Sequence, residues 1–545
     1  MMSDRFYSCL RAVGKMGFSL VLCLAAAAWA AQAPPAAGTL KVKVIDEAGK
    51  LLPARVHLRD AGGRYLLAPG HETRQRAMHE KTGPICGDWF YTDGEFSIEV
   101  GAGEAQIDIA HGPEYAGIHD AIAIAAGQTA DKTYTLRRLI DLTALGWYNG
   151  DEHLHQPPDA TMMRAEALNV VGTPVCNGAM VRYPVEQSVA QLPDALHVSV
   201  TKIPATEWDC FYWNLPKPLA LRLGDADWPN PDGARPDGTQ DHKFPGKLFL
   251  SRESFLLQQM HEAGATTIAY MHDPIRVGYY PLFIANGWVD VYAVLENGYC
   301  GIANRGTEAD FWKGLDSNRT DGNFGIWYRF LNCGYRLPAS GGSDNVAMGM
   351  GLYKGYNRVF VKLDGQFTLD NWLAALRKGR SFVSNRPLLF VTIDGKEPGS
   401  ELATKSGTEL SVDVRAVSAT PISRIDIMHQ GRILKRIDIE TPATDIRRSE
   451  KITLPKSGWL AVRCFGLGQN MNLGPKFAFA HTSPFYAIVD GQPIRSPEDA
   501  RFFHEKFSDY VKVTVPFVEN EAVRHALEAM CRDALAKWAA QAEMK

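Results

Sequence analysis

The sequence predicts a multidomain protein in which a central α/β domain lies between two all-β domains. Near-strict alternation of apolar and polar residues, typical of half-buried strands, occurs before about residue 137 and returns after Pro387. Between residues 146 and 385, apolar strand-like runs alternate instead with helical segments. Several of these runs end in acidic residues or histidines, as expected for a (β/α) barrel whose site lies at the C-terminal ends of its strands.

Length and composition limit the class of protein. A chain of 545 residues is too long for one hydrophobic core, so we expect about three domains. Hydrophobic residues make up 46% and charged residues 22%, which is ordinary for a globular protein. The formal net charge of -3 shows no excess of basic residues of the kind that nucleic-acid-binding proteins carry, and we therefore expect no nucleic-acid partner.

Residues 1–33 are predicted to be a signal peptide. Arg5, Arg11 and Lys15 precede a short apolar run that ends in small residues, with Ala-x-Ala cleavage sites at 28–30 and 31–33. The run is too short and alanine-rich for a stable membrane anchor. We therefore expect a periplasmic or secreted protein.

The nine cysteines do not indicate a disulfide framework. Cys9 and Cys23 fall in the signal region, and the remaining seven are widely spaced without a Cys-x-x-Cys pair. This pattern argues against a disulfide scaffold and a zinc ribbon. It is compatible with one or two disulfide bonds.

Strand patterns predict the two flanking domains. The first, at 39–137, is expected to be an Ig-like or carboxypeptidase-regulatory-like β-sandwich, and the second, at 386–490, another β-sandwich. The loop at 111–115 faces the next domain, where it either lines a substrate cleft or is a loop with its own internal contacts. A helical extension at 491–545 begins at a predicted cap, Ser496, and ends with a helix over residues 521–540.

The central domain, at 140–385, carries the candidate site residues. His153 and His155 follow a short strand at spacing i, i+2, so their side chains point to one face, where two imidazoles make half of a metal site. Further strand-like runs deliver four more polar residues: Glu207, His272, Glu296 and Asp344. The alternative is that all of these are simply polar residues at strand ends, without a role in metal binding.

Several segments together resemble the CehA/McbA family of metallohydrolases, a branch of the polymerase-and-histidinol-phosphatase (PHP) superfamily. The segments are residues 54–58, 111–115, 146–155, 165–170, 270–274, 331–344, 355–361 and 479–484. The resemblance covers most of the chain after the signal peptide. It implies a distorted (β/α)7 barrel that binds up to three divalent metals and hydrolyses ester, carbamate, amide or phosphoester bonds.

The resemblance also implies a ligand set. His153 and His155 match the family's His-x-His motif, His272 matches its His-Pro motif with Asp273 inserted, and the closing Gly-Ser-Asp places a ligand at Asp344. A bridging carboxylate is expected at Glu207. These residue types suit one or two Zn, Mn or Fe ions.

The chain departs from the family pattern at three positions. Asn169 stands where a helix histidine is expected, and Val346 stands where a histidine follows the closing aspartate. The histidine that usually follows the bridging carboxylate is missing, with Asp209 and Asn214 nearby. These changes put the number of metals in question.

Other residues are candidates for supporting roles. Asp209 and His242 are candidates for general acid–base catalysis. Glu166, Glu296, Asn297 and Asn214 are candidates for the shell around the ligands. For Glu166 a helix-surface charge is the alternative, and for Glu296 and Asn297 it is a buried polar strand end.

We therefore expect an exported metal-dependent hydrolase of a small-molecule or polymer substrate. The alternative is a non-catalytic binding protein with a degenerate PHP-like metal site. The sequence does not predict the bond type or the oligomeric state.

Overall fold

The structure is a computed structural model, and its described part has several gaps. It comprises residues 36–71, 78–79, 83–84, 86–154, 159–174, 189–191, 198–204, 210–213, 254–255, 257–270, 278–296, 307–316, 323–343, 353–518 and 521–543.

The N-terminal region forms two main sheets around one apolar cluster. A three-stranded sheet has the order β10-β1-β7, and a second sheet has the order β3-β2-β8-β9 with β6 added to β2. Alternating burial along β7 places Phe96, Ile98 and Val100 in the cluster. The strands are β1 Ala37–Ile45, β2 Ala54–Arg59, β3 Tyr65–Leu66, β4 Met78–His79, β5 Gly83–Pro84, β6 Phe90–Thr92, β7 Glu95–Gly101, β8 Gly103–Ala110, β9 Ile118–Ile124 and β10 Thr129–Thr135.

The remaining strands belong to one sheet of 17 strands. Its first part comprises β11 Trp147–Asp151, β12 Val170–Pro174, β13 Val189–Gln191, β14 Val198–Pro204, β15 Cys210–Trp213, β16 Thr266–Tyr270, β17 Val291–Leu295, β18 Ala339–Gly341 and β19 Arg358–Lys362. Its second part comprises β20 Ser381–Ser384, β21 Leu388–Ile393, β22 Glu401–Thr404, β23 Glu409–His429, β24 Arg432–Thr453, β25 Gly458–Leu467, β26 Phe477–Thr482 and β27 Phe485–Val489.

The predicted fold class, a central PHP-like distorted (β/α)7 barrel flanked by two separate β-sandwiches, is wrong. The described strands form a mixed sheet: β16, β17 and β18 run parallel, whereas β15 is antiparallel to both β14 and β16. β19 is antiparallel to β11 and leads through β20 to β26, so the sheet continues into the C-terminal half of the chain. Seven α-helices have bounds in the described residues, too few to alternate with these strands.

The central and C-terminal strands also share their apolar cores. One cluster contains Trp147 and Phe360 of the central strands together with Phe382, Leu388 and Val462. The Phe360 and Phe382 rings stack with centroids 4.6 Å apart. Burial across this contact ties the two parts of the sheet together, since apolar area removed from water stabilises the fold in rough proportion to its size.

The helices pack on the strands and on one another. They are α1 Ala160–Ala165, α2 Tyr280–Ala285, α3 Glu308–Asp316, α4 Asn323–Asn332, α5 Leu369–Arg377, α6 Pro497–Thr514 and α7 Glu521–Glu543. The predicted start of α6 is confirmed, because the Ser496 side chain accepts a hydrogen bond from the Asp499 N–H. α6 and α7 pack on the central helices: Phe503 stacks on Phe330 at 3.9 Å, and the Trp538 indole N–H donates to the Pro281 carbonyl.

Within the described residues, Cys333, Cys464 and Cys531 are buried free thiols, and Cys86 is also buried. A helix with the length and hydropathy to span a bilayer is not found in the part of the chain that the structure describes.

Candidate functional site

The centre of the candidate site is a contact between His153 and Glu296. His153 lies two residues after β11 and Glu296 directly follows β17, so both side chains come from strand C-termini. Both are buried, and Nδ1 of His153 lies 3.1 Å from Oε2 of Glu296. A carboxylate in this position orients an imidazole ring and leaves Nε2 as the nitrogen that would bind a metal.

Asp151 fixes the backbone around His153. Its carboxylate accepts hydrogen bonds from the N–H groups of His153 (3.2 Å), Ser343 (2.9 Å) and Gly355 (2.7 Å), and from the Ser343 hydroxyl. Burial raises the pKa of the Asp151 carboxyl, and these hydrogen bonds oppose that rise because they favour the charged form. One buried carboxylate therefore joins the ends of β11 and β18 to the segment before β19.

Two more buried contacts hold the neighbouring strand ends. The Ser340 hydroxyl of β18 donates to the Glu152 carboxylate, and the Asn357 side-chain amide donates to the Glu296 backbone carbonyl at 3.1 Å. Glu152, Ser340 and Asn357 are all fully buried. A polar network of this kind fixes one arrangement of side chains, because each broken hydrogen bond would leave a buried polar group unsatisfied.

Glycines at 341 and 342 allow the strand ends to meet. A Cβ atom on Gly342 would lie 2.5 Å from the His153 Cβ and 2.7 Å from the His153 nitrogen. A Cβ atom on Gly341 would lie 2.8 Å from the Leu295 carbonyl oxygen. These glycines are present because β18 passes too close to β11 and β17 for any side chain.

Glu166 lies at the junction between the N-terminal sheets and the central strands. It caps the end of α1 and is buried, and its Oε1 accepts hydrogen bonds from Arg55 Nε at 2.8 Å and from the Tyr91 hydroxyl at 3.1 Å. Arg358 of β19 also approaches, with Nη2 4.0 Å from Oε2. The described partners of Glu166 therefore belong to this junction.

A third region of the chain reaches the same junction. Arg55 donates from Nη1 to the Asn472 carbonyl, and its Cζ lies 3.6 Å from the centre of the Tyr353 ring. The Asn472 side chain in turn donates to Asp108 of β8. Burial and the neighbouring Arg55 charge hold the pKa of His57 well below its usual range, so this histidine is neutral at pH 7.

Asn169, which replaces the expected helix histidine, is used in a structural contact. Its Oδ1 accepts hydrogen bonds from the Asn149 backbone N–H at 2.9 Å and from the Asn149 side chain at 3.2 Å. Asn149 also accepts from Arg358. The amide at 169 therefore positions the first strand of the central region.

Most of the other predicted site residues lie outside the described part of the chain. They are His155, Glu207, Asp209, Asn214, His242, His272, Asn297 and Asp344. Within the described residues, no group of three or more His, Cys, Asp or Glu side chains could hold a metal ion. The structure therefore places His153, Glu296 and Glu166 and brings the first two together.

Sequence reasoning missed Asp151 and Arg358 as residues that build this site. Asp151 is part of the same Gly-Asp-Glu-His segment as His153, and its place at a strand end was the available signal. Arg358 donates to the Gly355 carbonyl at 2.6 Å and to the Glu166 carbonyl at 2.9 Å. No pattern in the sequence indicated the contact with Glu166, because that residue lies 192 positions away along the chain.

Comparison with known proteins does not assign a family. No family model and no curated protein matches the chain. Among solved structures, the minor pilin GBS52 of Streptococcus agalactiae is 15% identical with a TM-score of 0.15, covering 19% of this chain and 46% of that one. A streptococcal ancillary pilin is 13% identical with a TM-score of 0.14, covering 22% of this chain and 36% of that one. The chain thus spans less than half of either structure, and similarity this low supports no argument about function.

The buried ion pair at the junction gives a stability prediction. Arg55→Met should lower the free energy of unfolding by about 3–5 kcal/mol, because it leaves the Glu166 carboxylate buried without its cation. Arg55→Met/Glu166→Gln should lose less than the sum of the two single variants, as measured by denaturant unfolding. The matched control is Arg64→Met, which removes an exposed arginine from its pair with Asp60 and should cost less than about 1 kcal/mol. Strict additivity in the double variant would show that the two charges are not coupled.

The glycine contact gives a second prediction. Gly342→Ala should destabilise the protein by about 1–3 kcal/mol, because its Cβ would displace the His153 backbone. Gly365→Ala is the control, since no heavy atom lies within 4 Å of its added Cβ, and it should change stability by less than about 0.5 kcal/mol. Equal unfolding midpoints for both variants would contradict the close approach of β18 to β11.

Proposed function

We propose that the protein is an exported metal-dependent hydrolase that uses a metal-activated water to cleave an ester, carbamate, amide or phosphoester bond. The observation that carries the proposal is the buried His153–Glu296 contact at two strand ends. An imidazole that donates one ring N–H to a carboxylate is the usual arrangement of a metal-binding histidine.

The described residues fit the first part of a metal site. His153 would contribute Nε2, because Glu296 engages Nδ1. The other proposed ligands, by resemblance to the CehA/McbA family, are His155, Glu207, His272 and Asp344. When bound, a divalent ion in such a set lowers the pKa of a coordinated water and polarises the scissile group.

The remaining contacts of the site position His153 rather than react. Glu296 fixes the orientation of the imidazole, and Asp151 fixes the backbone on both sides of it through Ser343 and Gly355. A ligand held this firmly needs little reorganisation when it binds an ion, which favours tight binding.

A non-catalytic binding protein is the second candidate, and one observation favours it. Asn169 engages Asn149 where the family has a histidine, so this position has a structural contact instead of a ligand. A purified protein that binds metal yet hydrolyses no member of a panel of aryl esters, carbamates and phosphodiesters would favour this second function.

The metal proposal predicts the behaviour of the wild type and of two variants. Purified wild type should contain at least one stoichiometric Zn, Mn or Fe, and a chelator should lower its Tm because bound metal stabilises the folded state. His153→Ala should lose the metal and any hydrolysis, and Glu296→Gln should weaken metal binding about 10–100-fold.

His525→Ala is the control for these variants, because His525 is exposed on α7 and should leave metal content unchanged. Metal content can be measured by elemental analysis of protein purified without chelator. Wild type without stoichiometric metal and without a thermal shift on adding these ions would exclude the proposed site.

Export is supported by the basic residues, apolar run and Ala-x-Ala sites of segment 1–33. N-terminal sequencing of the protein recovered from the exporting cell should start near Pro34. Replacement of Arg5, Arg11 and Lys15 by Glu should leave the precursor uncleaved. A native product that retains Met1 would contradict the signal-peptide assignment.

A further inference from the structure

A continuous depression lies on the sheet away from the candidate site. It consists of two adjoining cavities of about 570 and 780 Å³, and both are lined by Thr392 and Glu397. The first cavity lies over the start of β11 and parts of β21, β23 and β24, and the second extends past the end of α5 to Arg336 and Tyr486. We call this depression the basic groove.

Basic residues outnumber acidic residues in the lining of the groove. Among the residues that the structure describes, its acidic lining residues are Asp364, Glu397 and Asp413. Its nine basic lining residues are Arg336, Lys362, Arg377, Lys378, Arg380, Lys396, Arg415, Arg447 and Arg448. The whole chain carries a net charge of -3, so the cations are concentrated at this surface.

Three of the nine cations are neutralised by neighbouring carboxylates. Arg380 pairs with Asp364 and Glu397. Arg336 pairs with Glu401, and Arg415 pairs with Asp445 at 2.9 Å.

Six cations remain without a carboxylate partner among the described residues. They are Lys362, Arg377, Lys378, Lys396, Arg447 and Arg448. Five of them are exposed, and Lys362 is half-buried. Because cations without a carboxylate partner gain from binding an opposite charge, this set favours an anionic ligand with several charges.

The floor of the groove is apolar. Trp147, Phe390, Val391 and Val414 line the first cavity, beside Leu145, which is 41% exposed. A concave surface with an apolar floor and a cationic rim suits a chain of rings that bear anionic substituents.

The groove is separate from the His153 site. Trp147 begins β11, whereas His153 follows its other end. At about 3.3 Å per residue, the five residues of β11 separate the two by roughly 13 Å or more.

We propose that the basic groove binds a linear anionic polysaccharide through its carboxylate or sulfate groups. A sequence pI of about 6.6 disfavours nucleic acid, since nucleic-acid-binding domains are commonly strongly basic. The proposal does not depend on the hydrolase function, because it uses none of the residues assigned to that site.

Binding of the full-length secreted form to polygalacturonate and to dextran sulfate tests the proposal, with neutral dextran as the uncharged polymer. Lys378→Gln/Arg447→Gln/Arg448→Gln should weaken binding to the charged polymers at least about 10-fold and reduce the salt dependence of the affinity, because fewer counterions are released. Whichever of the two charged polymers binds identifies carboxylate or sulfate as the recognised group.

The matched control is Lys41→Gln/Lys43→Gln/Lys405→Gln, which removes the same charge from exposed lysines outside the groove. It should keep the wild-type affinity within about 2-fold. His153→Ala should also bind normally, which distinguishes failure of the groove from failure of the metal site.

Three outcomes would overturn the proposal. The first is that neither charged polymer binds the wild type. The second is that the control variant loses as much affinity as the groove variant. The third outcome is that only single-stranded DNA or anionic lipid vesicles bind in a groove-dependent manner.

Discussion

The buried ion pair between Arg55 and Glu166 is the contact on which the rest of the structure depends. Arg55 belongs to the N-terminal sheets, and Glu166 follows the first helix of the central region. The Asn472 carbonyl, which accepts a further hydrogen bond from Arg55, belongs to the C-terminal part. Desolvating two charges costs several kcal/mol per ion unless further hydrogen bonds compensate. Tyr91 and Asn472 supply such bonds, so the charged residues specify how three regions of the chain meet.

The same junction is linked to the candidate site by a short series of contacts. Arg358 donates to the Glu166 carbonyl and to the Gly355 carbonyl, and the Gly355 N–H donates to Asp151, which also accepts from the His153 N–H. Burial lowers the pKa of Arg358, but its guanidinium remains charged at pH 7 because an ordinary arginine pKa is far higher. A change at the junction can therefore alter the backbone that carries His153.

Local patterns predicted individual strands and the cap at Ser496 well, because alternation and capping depend on neighbouring residues. They also predicted that Glu296 would follow a buried strand near the site.

The prediction of a barrel was wrong because strand pairing is not encoded locally. The antiparallel β15 and the continuation of β19 into the C-terminal strands depend on partners far along the chain. The sequence did not indicate the 22-residue β24, because this strand is mostly exposed and lacks the buried alternating face that identifies a strand. The Arg55–Glu166 pair joins residues 111 positions apart, which no spacing rule could connect.

The two ends of β11 differ in the chemistry that they present. At its C-terminal end, buried carboxylates and an imidazole hold one another in place, so a bound ion would find a rigid set of donors. At its N-terminal end, Trp147 lines a cavity together with exposed arginines that have no carboxylate partner among the described residues, so a charged polymer could bind without disturbing any buried contact. Between these ends, β11 is hydrogen-bonded to β12 on one side and to β19 on the other. Polymer binding in the basic groove and hydrolysis at the His153 site would then be separable properties of one sheet. Salt would weaken polymer binding, whereas removal of metal would affect the His153 site.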